Sequence, residues 1–166
     1  MKHWVILVSL ALLVGCAQKP VQKAEPVGFN EGTGLTLIEF DGLAPGLVAE
    51  MFEFNWLSNF EQRHATQPTL MVGEIENHTG EILARTDFKR TLERLLLESG
   101  KVKLVQDNKS QADFILSGKI QLDIERTELR RVANYELNWQ LENTQKNKQV
   151  WSAINRLQKV QERQAP

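Results

Sequence analysis

The chain is poor in the residues that most often announce chemistry. Among its 166 residues there is one cysteine, one tyrosine and three histidines. A single thiol excludes an intramolecular disulfide, so stability must come from packing alone. His64 and His78 belong to no cluster with metal-ligand spacing, and His3 directly precedes the opening apolar run. No glycine-rich phosphate loop follows a strand and no Gly-x-Ser-x-Gly elbow is present. The 20 basic and 21 acidic residues give no net bias toward nucleic acid or an acidic surface. The long apolar run, Trp4 to Val14 with only Ser9 polar, is shorter than the ~20 residues a spanning helix needs.

What is present begins with that run. Lys2 precedes it, and Leu13-Val14-Gly15 lead directly into Cys16. A short basic region, an apolar stretch and a small residue before the cut describe a secretory signal. The ending resembles the lipobox of bacterial lipoproteins, which implies removal of residues 1–15 and lipidation of Cys16. Several acyl chains on one terminus anchor stably where one alone is marginal. Ala17, in place of the Asp that favours retention in the inner membrane, implies the periplasmic face of the outer membrane.

Residues 16–34 then read as a lipidated tether rich in Gln, Lys, Pro, Glu and Gly. Extended, this segment reaches about 60 Å; as a flexible coil it averages roughly 25 Å. Residues 35–158 form one domain with a single core, and 159–166 a polar tail expected to fray.

Within the domain, Leu35 to Phe40 reads as a short strand closed by Asp41-Gly42. A helix is expected after Pro45, with Val48, Met51, Phe52, Trp56 and Phe60 on one face. Leu47, Phe54 and Leu57 lie opposite, so this helix is either wedged between two layers or has a partner. Pro68 to Glu76 suits a strand covered on both faces. Thr86 to Glu98 carries a helical stripe through Phe88, Leu92, Leu95 and Leu96, capped by Thr86 or Asp87 and stopped at Gly100. Val102 to Val105 is a short strand.

The last third alternates. Phe114, Leu116, Ile120, Leu122 and Ile124 are apolar at every second position, interrupted only by Gly118. Ala133, Tyr135, Leu137, Trp139 and Leu141 repeat the pattern beyond a turn near Thr127. With a third strand from Val150 to Leu157, these form an antiparallel meander with one wet face. The expected fold is α/β: a two-layer sandwich whose mixed or antiparallel sheet is covered by two helices.

Candidate functional residues are few. Glu74 and Glu76 share a strand face at about 7 Å, a spacing open to acid–base work, although carboxylates near a strand end are usually solvated. Charge is uneven along the chain, with Arg126, Arg130, Arg131 and Arg156 in its basic last third. That stretch is either an ordinary solvated surface or a face for an acidic partner patch. Trp151 is either core or, if exposed beside those arginines, an interface anchor.

Three blocks carry a family resemblance: Met71-Val72-Gly73-Glu74-Ile75-Glu76-Asn77-His78-Thr79, then Leu97 to Val105, then Ala112 to Ile120. With Gln149-Val150-Trp151-Ser152 near the end, they resemble the LpoB family across roughly residues 68–157. The resemblance implies a fold similar to the N-terminal domain of TolB. It also implies an outer-membrane regulator, without catalytic activity, metal or cofactor, that activates a bifunctional class A penicillin-binding protein. The partner is then a periplasmic domain of that synthase, not nucleic acid. The contending reading is a structural or assembly lipoprotein of a secretion or surface-appendage complex.

Overall fold

The structure, a computed structural model, describes residues 34–106 and 108–162. The signal segment, Cys16 and the tether up to residue 33 lie outside the described residues. No helix among the described residues is long and apolar enough to cross a membrane.

The domain opens with helix α1 (Leu37–Glu53) rather than the expected strand. Thr36 and Glu39 explain the difference. The Thr36 hydroxyl accepts from the Glu39 N–H while the Glu39 carboxylate accepts from the Thr36 N–H at 2.8 Å. This reciprocal cap starts a helix despite the strand-like composition that follows. The helix runs through Pro45, which therefore sits in its interior. Proline has no N–H to give the Asp41 carbonyl.

Phe54 adopts an extended conformation (φ −80°, ψ 153°) and separates α1 from α2 (Asn55–Glu61). The Trp56 indole folds back over this break and donates to the Met51 carbonyl at 2.7 Å. The break resolves the helix that looked apolar on two sides. Trp56, Leu57 and Phe60 are buried after the chain changes direction, while Phe54 stays exposed.

Next come β1 (Thr69–His78), α3 (Arg85–Ser99), β2 (Lys103–Leu104), β3 (Phe114–Arg126), β4 (Arg130–Asn143) and β5 (Lys148–Glu162). The α3 cap is Ala84 rather than Thr86 or Asp87, with no side-chain capping bond. Gly100 ends the helix in the left-handed region (φ 64°), where glycine has no Cβ penalty. A single 3₁₀ turn, Lys109–Gln111, leads into β3.

The five strands form one sheet in the order β2-β1-β3-β4-β5. β1 is parallel to both β2 and β3, whereas β3, β4 and β5 form the antiparallel meander. The fold is thus the mixed α/β arrangement expected from the sequence. Among the described residues three α-helices are present, not two. β5 runs to Glu162 because it pairs with β4 as far as Arg130↔Glu162, so strand geometry replaces the fraying expected after Gln158.

One face of the sheet is dry. Leu70, Val72 and Ile75 of β1, Phe114, Leu116 and Ile120 of β3, and Ala133, Tyr135, Leu137, Trp139 and Leu141 of β4 are all buried there. α1 and α3 cover this face through Phe40, Ala44, Leu47, Phe88, Leu92 and Leu96. The Phe40 and Phe88 rings stack at 4.3 Å, and Phe40 tilts against Trp139 at 5.9 Å. Fully burying a side chain of this size contributes about 1.5–3 kcal/mol, so this layer dominates the stability. A polar bond joins its two helices: the Thr91 hydroxyl of α3 donates to Asp41 of α1 at 2.7 Å.

β2 pairs only with Thr69 and Leu70. Beyond them β1 borders a cleft of 730 Å³, lined by Met71 to Ile75, by Leu83 to Asp87 and by Lys89 and Lys109. The pairing of β1 with β3 is irregular between Val72 and Ile75, and Arg85 donates to the Ile75 carbonyl at 3.3 Å.

Candidate functional site

The helix-free face of the sheet is polar and open. Pairing across strands and along β4 aligns amides and carboxylates into rows on it. Gln140 donates to Ser117 at 3.2 Å, Asn138 to Glu136 at 3.1 Å and Gln158 to Asn134 at 2.9 Å. Arg156 of β5 lies opposite Glu136 of β4 and forms an ion pair at 3.0 Å. The Asn138 amide and the Arg156 guanidinium hold the Glu136 carboxyl below its ordinary value. Ile154 projects from the same face. A surface of fixed polar rows with an occasional apolar side chain suits a protein contact better than a reaction.

A second polar assembly sits where the chain enters the domain. Asn77 begins it: its carboxamide accepts from the Thr79 N–H at 3.0 Å and donates to the Glu81 carbonyl at 2.7 Å. Gly80 takes the left-handed conformation (φ 76°) that this turn needs. The turn delivers Glu81 to the dry face, where it accepts from the Tyr135 hydroxyl at 2.7 Å and lies 3.7 Å from Arg131. Burial and then the Glu81 carboxylate push the Tyr135 phenol well above its ordinary value.

On the other side, Lys159 lies 3.0 Å from Glu39 and donates to the Gly34 carbonyl at 2.9 Å. Burial alone would raise the Glu39 carboxyl. The Thr36 N–H, Lys159 and the Thr36 hydroxyl outweigh that and leave it below the ordinary value. Gly34 itself packs against the Glu81 carboxylate, and any Cβ there would stand 2.9 Å from its oxygen.

The residues marked from the sequence are split by this structure. Arg126 and Arg131 face each other across the β3–β4 pair, and Arg130 lies opposite Glu162. Arg131 is only 4% exposed and Trp151 only 2%. Neither can be a surface contact. Arg131 points into the dry layer, where Glu81 takes its charge, and Trp151 opposes the buried Leu141. Trp151 is core, and Val150 is only partly buried. Arg130 and Arg156 remain exposed, with Arg156 about 20 Å along the strand from Arg130.

Glu74 and Glu76 do not form a working pair. The irregularity after Val72 interrupts their alternation, and each carboxylate goes its own way, Glu74 toward Arg85 at 3.9 Å and Glu76 to His78 at 2.9 Å. Among the described residues no group of His, Cys, Asp and Glu is arranged to hold a metal. The sequence reading missed Glu81, Lys159 and Gly34. Glu81 looks like any turn carboxylate, and Lys159 fell in the supposed tail. The long-range signal was Tyr135, the lone tyrosine on an inward phase, whose buried hydroxyl needed an acceptor.

Comparison with known proteins places this geometry. The family model described as peptidoglycan-synthase activator LpoB matches residues 39–112. Among solved structures, the LpoB C-terminal domain from Salmonella enterica superposes with a TM-score of 0.54 at 17% identity. That match covers 73% of this chain and 99% of the other. The LpoB C-terminal domain from Escherichia coli gives 0.52 at 18% identity, covering 72% and 98%. No curated protein matches the chain. At these identities the superpositions establish the fold, and the family match extends the resemblance to sequence.

Proposed function

We propose, from the premise that this chain is an LpoB-like protein, that it activates a bifunctional class A penicillin-binding protein in peptidoglycan synthesis. The family match over residues 39–112, in a domain that superposes on LpoB domains, is the observation that carries this reading. Lipidation at Cys16 and the Ala17 that follows hold the protein at the periplasmic face of the outer membrane. The segment between Cys16 and Gly34 gives the domain a reach of about 60 Å.

The open sheet face is the contact surface. Arg156 and Arg130 supply its exposed guanidinium groups, and a periplasmic domain of the synthase is the partner. Activation requires that the partner bind this surface better in its active conformation than in its inactive one. A differential of about 1–3 kcal/mol is typical of such coupling.

The test uses the full-length lipoprotein in detergent with a purified class A synthase. Stimulated glycan polymerisation and peptide crosslinking, lowered by Arg156→Glu, are expected. No binding and no stimulation, with the lipoprotein instead co-purifying with a secretion or appendage assembly, would overturn the reading.

A further inference from the structure

Where the chain enters the domain, the surface is unexpectedly apolar. Ile82 is fully exposed, Ile38 is 84% exposed and Leu129 77%. They come from three segments that direct contacts bring to one end. Ile38 adjoins Glu39, which holds Lys159 of β5. Ile82 adjoins Glu81, which holds Tyr135 and Arg131, and Leu129 lies two residues before Arg131. Lys159 also grips the carbonyl of Gly34, the first described residue, so the tether leaves from the middle of this group. Isolated exposed isoleucines are ordinary. Several gathered around one chain exit mark an interaction surface.

We infer that this end of the domain docks on a lipid surface, namely the membrane that holds the acyl chains of Cys16. The inference rests on the lipid-anchor part of the proposed function and is independent of the synthase. The length of the chain outside the structure argues for this occupant. Only residues 17–33 separate Cys16 from Gly34, so the chain exit is the point at which the domain is held to the membrane. The tether also makes docking intramolecular, at an effective concentration on the order of millimolar, so weak affinity suffices.

Charge agrees. Arg126 and Arg130 at this end alternate with Glu125, Glu128 and Glu162. No sign dominates, which fits a mainly zwitterionic headgroup layer better than a strongly charged protein patch. The apolar side chains project from a helix start, a loop and a hairpin tip. Such tips can enter the ~5–10 Å boundary between headgroups and acyl chains.

The full-length lipidated chain, reconstituted in vesicles of phosphatidylethanolamine and phosphatidylglycerol, tests this. Once Cys16 is acylated no native thiol remains, so Ile82→Cys, Leu129→Cys and, at the opposite end, Leu97→Cys each take one environment-sensitive dye. Blue-shifted emission quenched by brominated lipid is expected at positions 82 and 129 but not 97, with little change in high salt. Ile38→Ser, read by the dye at 82, should lower the docked-to-free ratio about tenfold.

Absence of lipid quenching at 82 and 129, or equal quenching at 97, overturns the proposal. So does shielding of position 82 in a Cys16→Ser chain without vesicles, which would mean that the chain's own tether or a second copy covers the patch. Mass spectrometry of Cys16 separates the two failures. An unacylated Cys16 removes the anchor itself, whereas an acylated chain with position 82 unquenched removes only the docking.

Discussion

Gly118 lies directly opposite Trp139 in the β3–β4 pair, and the indole occupies the space that a side chain at 118 would need. The one gap in the apolar alternation of β3 is therefore a seat for the largest side chain of β4. Gly118→Ala would force the indole into Phe40 and should destabilise the domain by about 1–3 kcal/mol. Urea unfolding measures this. Trp139→Phe placed in the Gly118→Ala background should recover part of the loss, giving a non-zero coupling in a double-mutant cycle.

Tyr135 is the only tyrosine in the chain, so absorbance of the ionised phenol reports on it alone. Its raised value means that the stability it contributes is complete below the unfolded value near 10. That stability is lost as pH rises toward the folded value. Phenolate should therefore appear together with alkaline unfolding, not as a separate native-state titration near pH 10. Tyr135→Phe strips Glu81 of a buried donor and should cost about 1.5–3 kcal/mol, the range for hydrogen bonds to charged groups.

Glu39 shifts the opposite way. A lowered carboxyl contributes stability that is complete above its unfolded value of 4.5 and drains as pH falls through the lower folded value. Glu39→Gln should flatten the acid limb of a stability–pH curve and cost about 1 kcal/mol at neutral pH. Thr36→Ala, which removes the other half of the capping box, should cost a similar ~1 kcal/mol across the pH range.

Arg156 separates binding from stability. Its pair with Glu136 is exposed, and Arg156→Ala should leave the unfolding midpoint nearly unchanged. Reduced affinity for the synthase, measured by titration against its periplasmic domain, should accompany that unchanged midpoint.

Cys16→Ser tests the proposed acylation site. The variant should move from the membrane fraction to the soluble periplasmic fraction on cell fractionation, with the thermal unfolding of its domain unchanged.

Period-two alternation on β3 and β4 was readable because one face is dry and the other wet, and nothing along those strands competes with it. The start of α1 was misread because Leu37 and Ile38 look like strand residues. The deciding signal was local and reciprocal, Thr36 with Glu39 three residues on. Pro45 misled in the same region. Contacts of α1 with α3 hold the helix together around a residue whose own preference is for a first turn. β5 was cut short because Lys159 and Gln161 occupy inward positions, where a periodicity argument expects apolar side chains. Their partners, Glu39 and Arg131, are distant in sequence and adjacent only in the fold.

The arginines of the last third were visible as a charge trend, but burial divides them. Arg131 serves the interior and Arg156 the surface, a distinction set by strand phase and by a carboxylate delivered from the turn after β1.

Among the described residues, no strand pairs with the outer flank of β1 beyond Leu70. Backbone groups on an uncovered strand edge are a template for a foreign strand, and such edges seed association between molecules. Here the irregularity at Gly73 and Glu74 breaks the regular spacing that an incoming strand would have to match. Arg85 occupies the Ile75 carbonyl and plants a positive charge in its path. One copy meeting another at high local density is thereby kept from zipping onto it.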